Sequence, residues 1–99
     1  MKIAWRPEAL EDLVSLHAFI GEESPAAAAR VVVKILDAIE LLPDQPGIGR
    51  PGRVPRTREL MVAGTPYIAA YRVKNEVLEV LRVLHGARKW PSRMASRRR

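Results

Sequence analysis

The side chains best suited to chemistry lie in the second half of the chain. Arg58, Tyr67, Tyr71, Arg72, Arg82, Arg88, Lys89 and Trp90 combine guanidinium groups with aromatic rings. Arginine makes paired hydrogen bonds to phosphate or carboxylate, and tyrosine or tryptophan offers stacking area. His85 ends an apolar run and is followed by Gly86-Ala87-Arg88-Lys89-Trp90. A histidine beside arginines can move a proton during RNA cleavage, and it can equally serve as a structural hydrogen-bonding group at a strand end. His17 falls within an apolar helical stripe and reads as a partly buried core residue. No His, Asp and Glu set at ligand spacing suggests a metal site, and nothing calls for a cofactor. The carboxylates Glu8, Glu11 and Asp12 read as a solvated helix face. Gly47-Ile48-Gly49-Arg50-Pro51-Gly52 has the letters of a dinucleotide-binding loop, but it follows a helix and precedes a strand, the reverse of what pyrophosphate binding needs.

These groups sit in a chain of 99 residues with 47% apolar and 28% charged residues, enough for one modest core. The absence of cysteine excludes disulfides, thiolate metal sites and a cysteine nucleophile. No apolar run approaches a membrane span, because Lys34, Arg72 and Arg82 interrupt the longest ones. With an N-terminus lacking a signal-like stretch, a cytoplasmic location is expected. The net charge of +6 is unevenly spread: residues 1–49 carry four basic against eight acidic side chains, whereas thirteen basic oppose three acidic ones in residues 50–99. A basic half of this kind favours a polyanionic partner.

The elements that must position these groups follow from hydrophobic period. Lys2 to Trp5 alternates like a strand, with Ile3 and Trp5 on one face. Pro7 opens a helix whose apolar stripe is Leu10, Leu13, Val14, His17 and Ile20, ending at Gly21. Ser24 and Pro25 cap and open a second helix that buries Ala28, Val31, Val32, Ile35, Ile39 and Leu42 and stops at Pro43. Residues 43–56, with four prolines and three glycines, form a long loop, either functional or mobile. Strands follow at 58–62, 67–74 and 77–85, the last two joined through Asn75-Glu76. Because Val77, Leu81 and Val83 oppose Leu78, Val80 and Leu84, the third of these strands is expected to be central and covered on both faces. The result is an α+β fold, β-α-α-β-β-β, with a helical hairpin packed on a small, mainly antiparallel sheet. A single domain over residues 1–91 and a basic C-terminal tail over 92–99 are expected.

Trp5-Arg6-Pro7-Glu8-Ala9, Gly49-Arg50-Pro51-Gly52, Thr57-Arg58-Glu59-Leu60, the strand Tyr67–Val73 and above all Val80-Leu81-Arg82-Val83-Leu84-His85-Gly86-Ala87-Arg88 resemble the RelE/ParE superfamily of type II toxins. The resemblance implies a small bacterial toxin neutralised by a cognate antitoxin. RelE-like members are ribosome-dependent mRNA endonucleases, whereas ParE-like members act on DNA gyrase, stabilise its DNA-cleaved state and block replication. The RelE-type site uses strand-borne basic residues and a C-terminal tyrosine. Arg88 matches one arginine, another position falls near Ile68, and the tyrosine position falls within 90–94, where there is no tyrosine. The LHGAR ending is closer to ParE-like members. The resemblance therefore implies a non-catalytic gyrase poison (plasmid stabilisation type), with a RelE-like endonuclease using His85, Arg88 and Arg82 as the alternative. Residues expected to meet the target are Arg58, Tyr71, Arg72, Arg82, Arg88, Lys89 and Trp90. An acidic antitoxin segment, disordered when free, is expected to lay a helix on Leu10, Leu13, Val14, Val31 and Ile35 and to add a strand to the sheet edge.

Overall fold

The alternation of the first residues is expressed as β1 (Lys2–Trp5), in which Ile3 and Trp5 turn toward the core while Lys2 and Ala4 face solvent. In the computed structural model, which describes residues 1–86, the elements that follow are α1 (Pro7–Gly21), α2 (Pro25–Glu40), β2 (Arg50–Pro51), β3 (Arg58–Met61), β4 (Tyr67–Lys74) and β5 (Val77–His85). The strands form one mixed sheet in the order β1-β5-β4-β3-β2. β1 and β5 run parallel, from Lys2 opposite Val77 to Trp5 opposite Val80, and every other pair is antiparallel. First and last strands thus lie side by side, and the helices cover one face of the sheet with an apolar core between the layers. The expected α+β arrangement is observed, with one additional strand.

That strand, β2, has two residues and pairs Arg50 with Glu59 and Pro51 with Arg58. Two residues flanked by glycine and proline carry no readable period, so the stretch reads as loop from sequence. Its pairing is fixed from outside, by the side chains of Glu59 and Tyr71.

Proline opens both helices. The Ser24 hydroxyl accepts a hydrogen bond from the Ala27 N–H at 3.1 Å, satisfying a first-turn donor of α2. α2 buries Ala28, Ile35 and Ile39 fully, and the chain carries Leu42 into the core just beyond the helix. α1 departs from expectation. Its inward side is Ala9, Leu13, Leu16 and Ile20, whereas Leu10 is 49% exposed, Val14 is 70% exposed and His17 is also exposed. His17 is therefore not a core histidine. The helix is rolled because Asp12 bonds to β5 and Ala9, without a bulky side chain, lets the helix approach the sheet.

The turn between β4 and β5 places Asn75 at φ 53° and Glu76 at φ 60°, the pair of left-handed residues a tight hairpin demands. β5 is central, between β1 and β4, as expected. Its alternation is not the expected one. Ala70 lies opposite Arg82 but Tyr71 lies opposite Val80, so Leu81 is an extra residue in a β-bulge. The bulge changes the phase of the strand, and Leu78, Val80 and Val83 all belong to the helix-side core.

Candidate functional site

Arg82 is held rather than presented. Its Nε and Nη2 donate to the two carboxylate oxygens of Asp12 on α1 at 2.7 and 2.8 Å. The same carboxylate accepts the Val83 backbone N–H at 2.8 Å. Both side chains are about 15% exposed. The hydrogen bond to Asp12 pushes the Arg82 guanidinium further up, against the opposing effect of its burial. Asp12 is thus no member of a solvated face. It fastens α1 to the bulged segment of β5, where the irregular strand leaves the Val83 N–H to a side chain.

The other expected residues divide among separate places. Arg72 donates from Nε to Glu79 at 2.6 Å, and Arg6 approaches the same carboxylate at 3.7 Å while also lying 3.7 Å from Glu8. The Arg72 guanidinium holds the Glu79 carboxyl below the usual carboxylate range. Arg72 and Arg82 therefore serve different partners and do not form one basic face. His85 lies opposite Tyr67 with the rings edge to face at 5.6 Å. Five positions of β4 separate Tyr67 from Arg72, or roughly 16 Å of strand. Tyr71, expected as a target-facing ring, is fully buried. Its hydroxyl donates to the Pro46 carbonyl at 2.7 Å and accepts from the Gly49 N–H at 3.0 Å, which pins the 43–56 segment to the sheet. Arg88, Lys89 and Trp90, like the tail at 92–99, lie outside the described residues.

Around that pinned segment the sheet and loop enclose an open cleft of about 370 Å³, lined by Pro46, Pro51, Arg56, Thr57, Arg58, Arg72 and Val73, with Tyr71 closing its floor. Arg58 reaches back across the loop to the Gly49 carbonyl at 2.7 Å and the Gly47 carbonyl at 3.4 Å. Beside the cleft, Glu59 is 3% exposed and accepts from the Arg53 N–H at 3.0 Å and the Arg50 guanidinium at 3.2 Å, holding the 50–53 stretch against β3. Arg56 also lines the cleft, a position not apparent among the sequence candidates. The available signal was Val54-Pro55-Arg56-Thr57, a turn-forming tetrapeptide with proline in second place.

On the helical side, Leu10 and Val14 stand one turn apart and exposed, and Leu13 and Val31 are half-buried. Ile35 is fully buried, so it belongs to the core and offers no surface to a partner. Among the described residues, no three His, Asp or Glu side chains converge as a metal site, and no helix is long and apolar enough to cross a membrane.

A helical hairpin on a β1-β5-β4-β3-β2 sheet, with a basic end and an exposed apolar ridge, defines a small toxin-fold protein of the RelE/ParE kind. Residues 3–90 match the ParE toxins of type II toxin–antitoxin systems, parDE, and the chain belongs to that family. It is 44% identical over 90 residues to Y4kP of Sinorhizobium fredii, covering 91% of this chain and 93% of that protein. It is 33% identical over 87 residues to the toxin RelE2 of Caulobacter vibrioides, covering 88% and 97%. A solved structure of the chromosomal ParDE toxin–antitoxin system from P. aeruginosa superposes with a TM-score of 0.77 at 29% identity, covering 86% of this chain and 95% of that one.

Proposed function

We propose that this toxin acts on DNA gyrase in the cytoplasm, without catalytic chemistry of its own, and blocks replication by stabilising the DNA-cleaved state of its target. The observation that carries this reading is the setting of Ile68. The resemblance puts an arginine position of the nuclease branch near this residue, where the chain has an isoleucine that is only 6% exposed, on β4. Cutting RNA through its 2′-hydroxyl requires groups that exchange protons and donors that stabilise the charged phosphorus centre. Arg82 is committed to Asp12, and Arg72 lies at the far end of β4 from the position facing His85. The family membership and the ParE-like ending of β5 support the same target.

Neutralisation belongs to a cognate antitoxin whose acidic segment is disordered when free. Leu10 and Val14 supply an apolar ridge for an amphipathic helix, bordered by Leu13 and Val31, and the outer edge of β1 is open to strand addition among the described residues. The basic second half attracts the acidic segment, so the complex weakens at high salt.

Expression in bacteria with parallel measurement of DNA synthesis, SOS induction and message integrity tests the target. DNA damage with intact messages is expected. Rapid, ribosome-linked cutting of messages that His85→Ala abolishes would assign the protein to the endonuclease branch instead.

A further inference from the structure

The geometry points to the cleft between the 46–58 segment and β4 as a docking site for an acidic, extended polypeptide segment, with Arg56 as its uncommitted guanidinium. This surface is separate from the apolar ridge of the helices, and it would hold such a segment whichever cellular target the toxin has.

Arg56 occupies a backbone position that L-residues avoid, with φ at 65°. Pro55 precedes it, and the Thr57 N–H bonds to the Val54 carbonyl at 3.2 Å, the pattern of a type II turn whose third residue is ordinarily glycine or asparagine. A long cationic side chain is therefore kept where it strains the chain, a circumstance that points to use of the side chain. The turn is also braced. Gly52 N–H donates to the Thr57 carbonyl at 2.8 Å, and the Thr57 hydroxyl donates to the Val54 carbonyl at 2.6 Å. Among the described residues Arg56 has no hydrogen bond or ion pair, whereas its neighbours are partly committed: Arg58 to two loop carbonyls and Arg72, through Nε, to Glu79. The remaining N–H groups of these two arginines are left for a ligand.

The lining selects the class of ligand. Guanidinium forks match carboxylates and phosphates alike. Single-stranded nucleic acid, however, is gripped largely through rings on which its unpaired bases stack. Among the described residues the one aromatic ring lining the cleft, Tyr71, is fully buried, and the apolar walls are half-buried Pro46 with exposed Pro51 and Val73. Apolar walls beside free guanidinium groups suit a carboxylate side chain flanked by aliphatic residues.

The probe is a fluorescein-labelled dodecapeptide carrying alternating leucine and glutamate at its centre in a Gly-Ser frame, titrated with the full chain and followed by anisotropy. Arg56→Asn removes the charge while keeping a residue that tolerates positive φ, so its thermal midpoint should not fall below that of the parent. Its affinity for the peptide should drop about tenfold, the loss of one charge-assisted pair. Arg30→Asn, an equal charge change on exposed α2, should alter affinity less than twofold. Peptide-induced amide shifts should centre on Thr57, Arg58, Arg72 and Val73. Equal losses in the two variants would reduce the site to diffuse attraction, and no peptide binding would remove it. Arg56-dependent binding of a labelled oligo-dT of the same length, tighter than that of the peptide, would reassign the cleft to nucleic acid.

Discussion

At the scale of single residues, the Asp12–Arg82 pair joins two parts of the chain separated by 70 positions and replaces a missing strand hydrogen bond at the same time. Removing the carboxylate leaves a mostly buried guanidinium and a backbone N–H unsatisfied. Asp12→Ala should therefore lower unfolding free energy by about 2–3 kcal/mol, measured by urea denaturation. The double replacement Asp12→Ala with Arg82→Met should recover part of that loss, because it withdraws both charges together. Glu79 makes a prediction in pH. Arg72 holds its carboxyl below the ordinary value of 4.5, so the folded state gains stability from this group above that value. The gain disappears as pH falls through the lowered value. Glu79→Gln should be less stable than the parent at neutral pH, and the two stabilities should converge in acid. None of this was legible from the local sequence. Asp12 stands beside Glu8 and Glu11 and reads as one more solvated acid, since its partner is distant in the chain.

At the scale of elements, the strongest signals were those with a period or a stop. Pro7, Ser24-Pro25 and Asn75-Glu76 mark their boundaries closely, because proline and positive φ act locally. The roll of α1 was not legible: the apolar side of that helix is broad, and sequence periodicity cannot say which part faces the sheet and which forms the ridge of Leu10 and Val14. The phase of β5 was hidden for a related reason, since the bulge at Leu81 is set by pairing with β4. The proline-rich segment gains its order from Tyr71. Tyr71→Phe removes one donor and one acceptor contact, at a cost of about 1–2 kcal/mol, and should speed hydrogen exchange of the Gly49 amide. Gly49→Ala should be more damaging, because a Cβ there would stand 2.7 Å from the Tyr71 hydroxyl and 2.9 Å from its ring. Neither the tyrosine, fully buried, nor the strand behind it can give way cheaply.

The whole molecule presents different chemistry on different surfaces. The helices offer an apolar ridge, and the opposite end of the sheet offers arginines held by Glu79 and by loop carbonyls. Val14→Asp should weaken antitoxin binding at least tenfold while leaving thermal stability nearly unchanged, because Val14 is 70% exposed. Ile35→Ala should do the reverse and lose about 3 kcal/mol of stability from a filled core. These contrasting outcomes, read by calorimetry of binding and of unfolding, separate surface from core on adjacent helices. The order of elements and the toxin family were readable from motif and period, whereas the dispersal of the arginines was not. Arg58, Arg72 and Arg82 read as one patch from sequence, but their partners are loop carbonyls, Glu79 and Asp12 respectively. A toxin of the proposed kind is expected to capture a DNA-cleaving machine and to do no cutting itself. Incubating the purified protein with gyrase, ATP and supercoiled plasmid, then denaturing the mixture, tests it most directly. Protein-linked linear DNA should accumulate with toxin concentration. Unbroken plasmid under those conditions, with cleavage of message on translating ribosomes by the same preparation, would make the toxin an endonuclease instead.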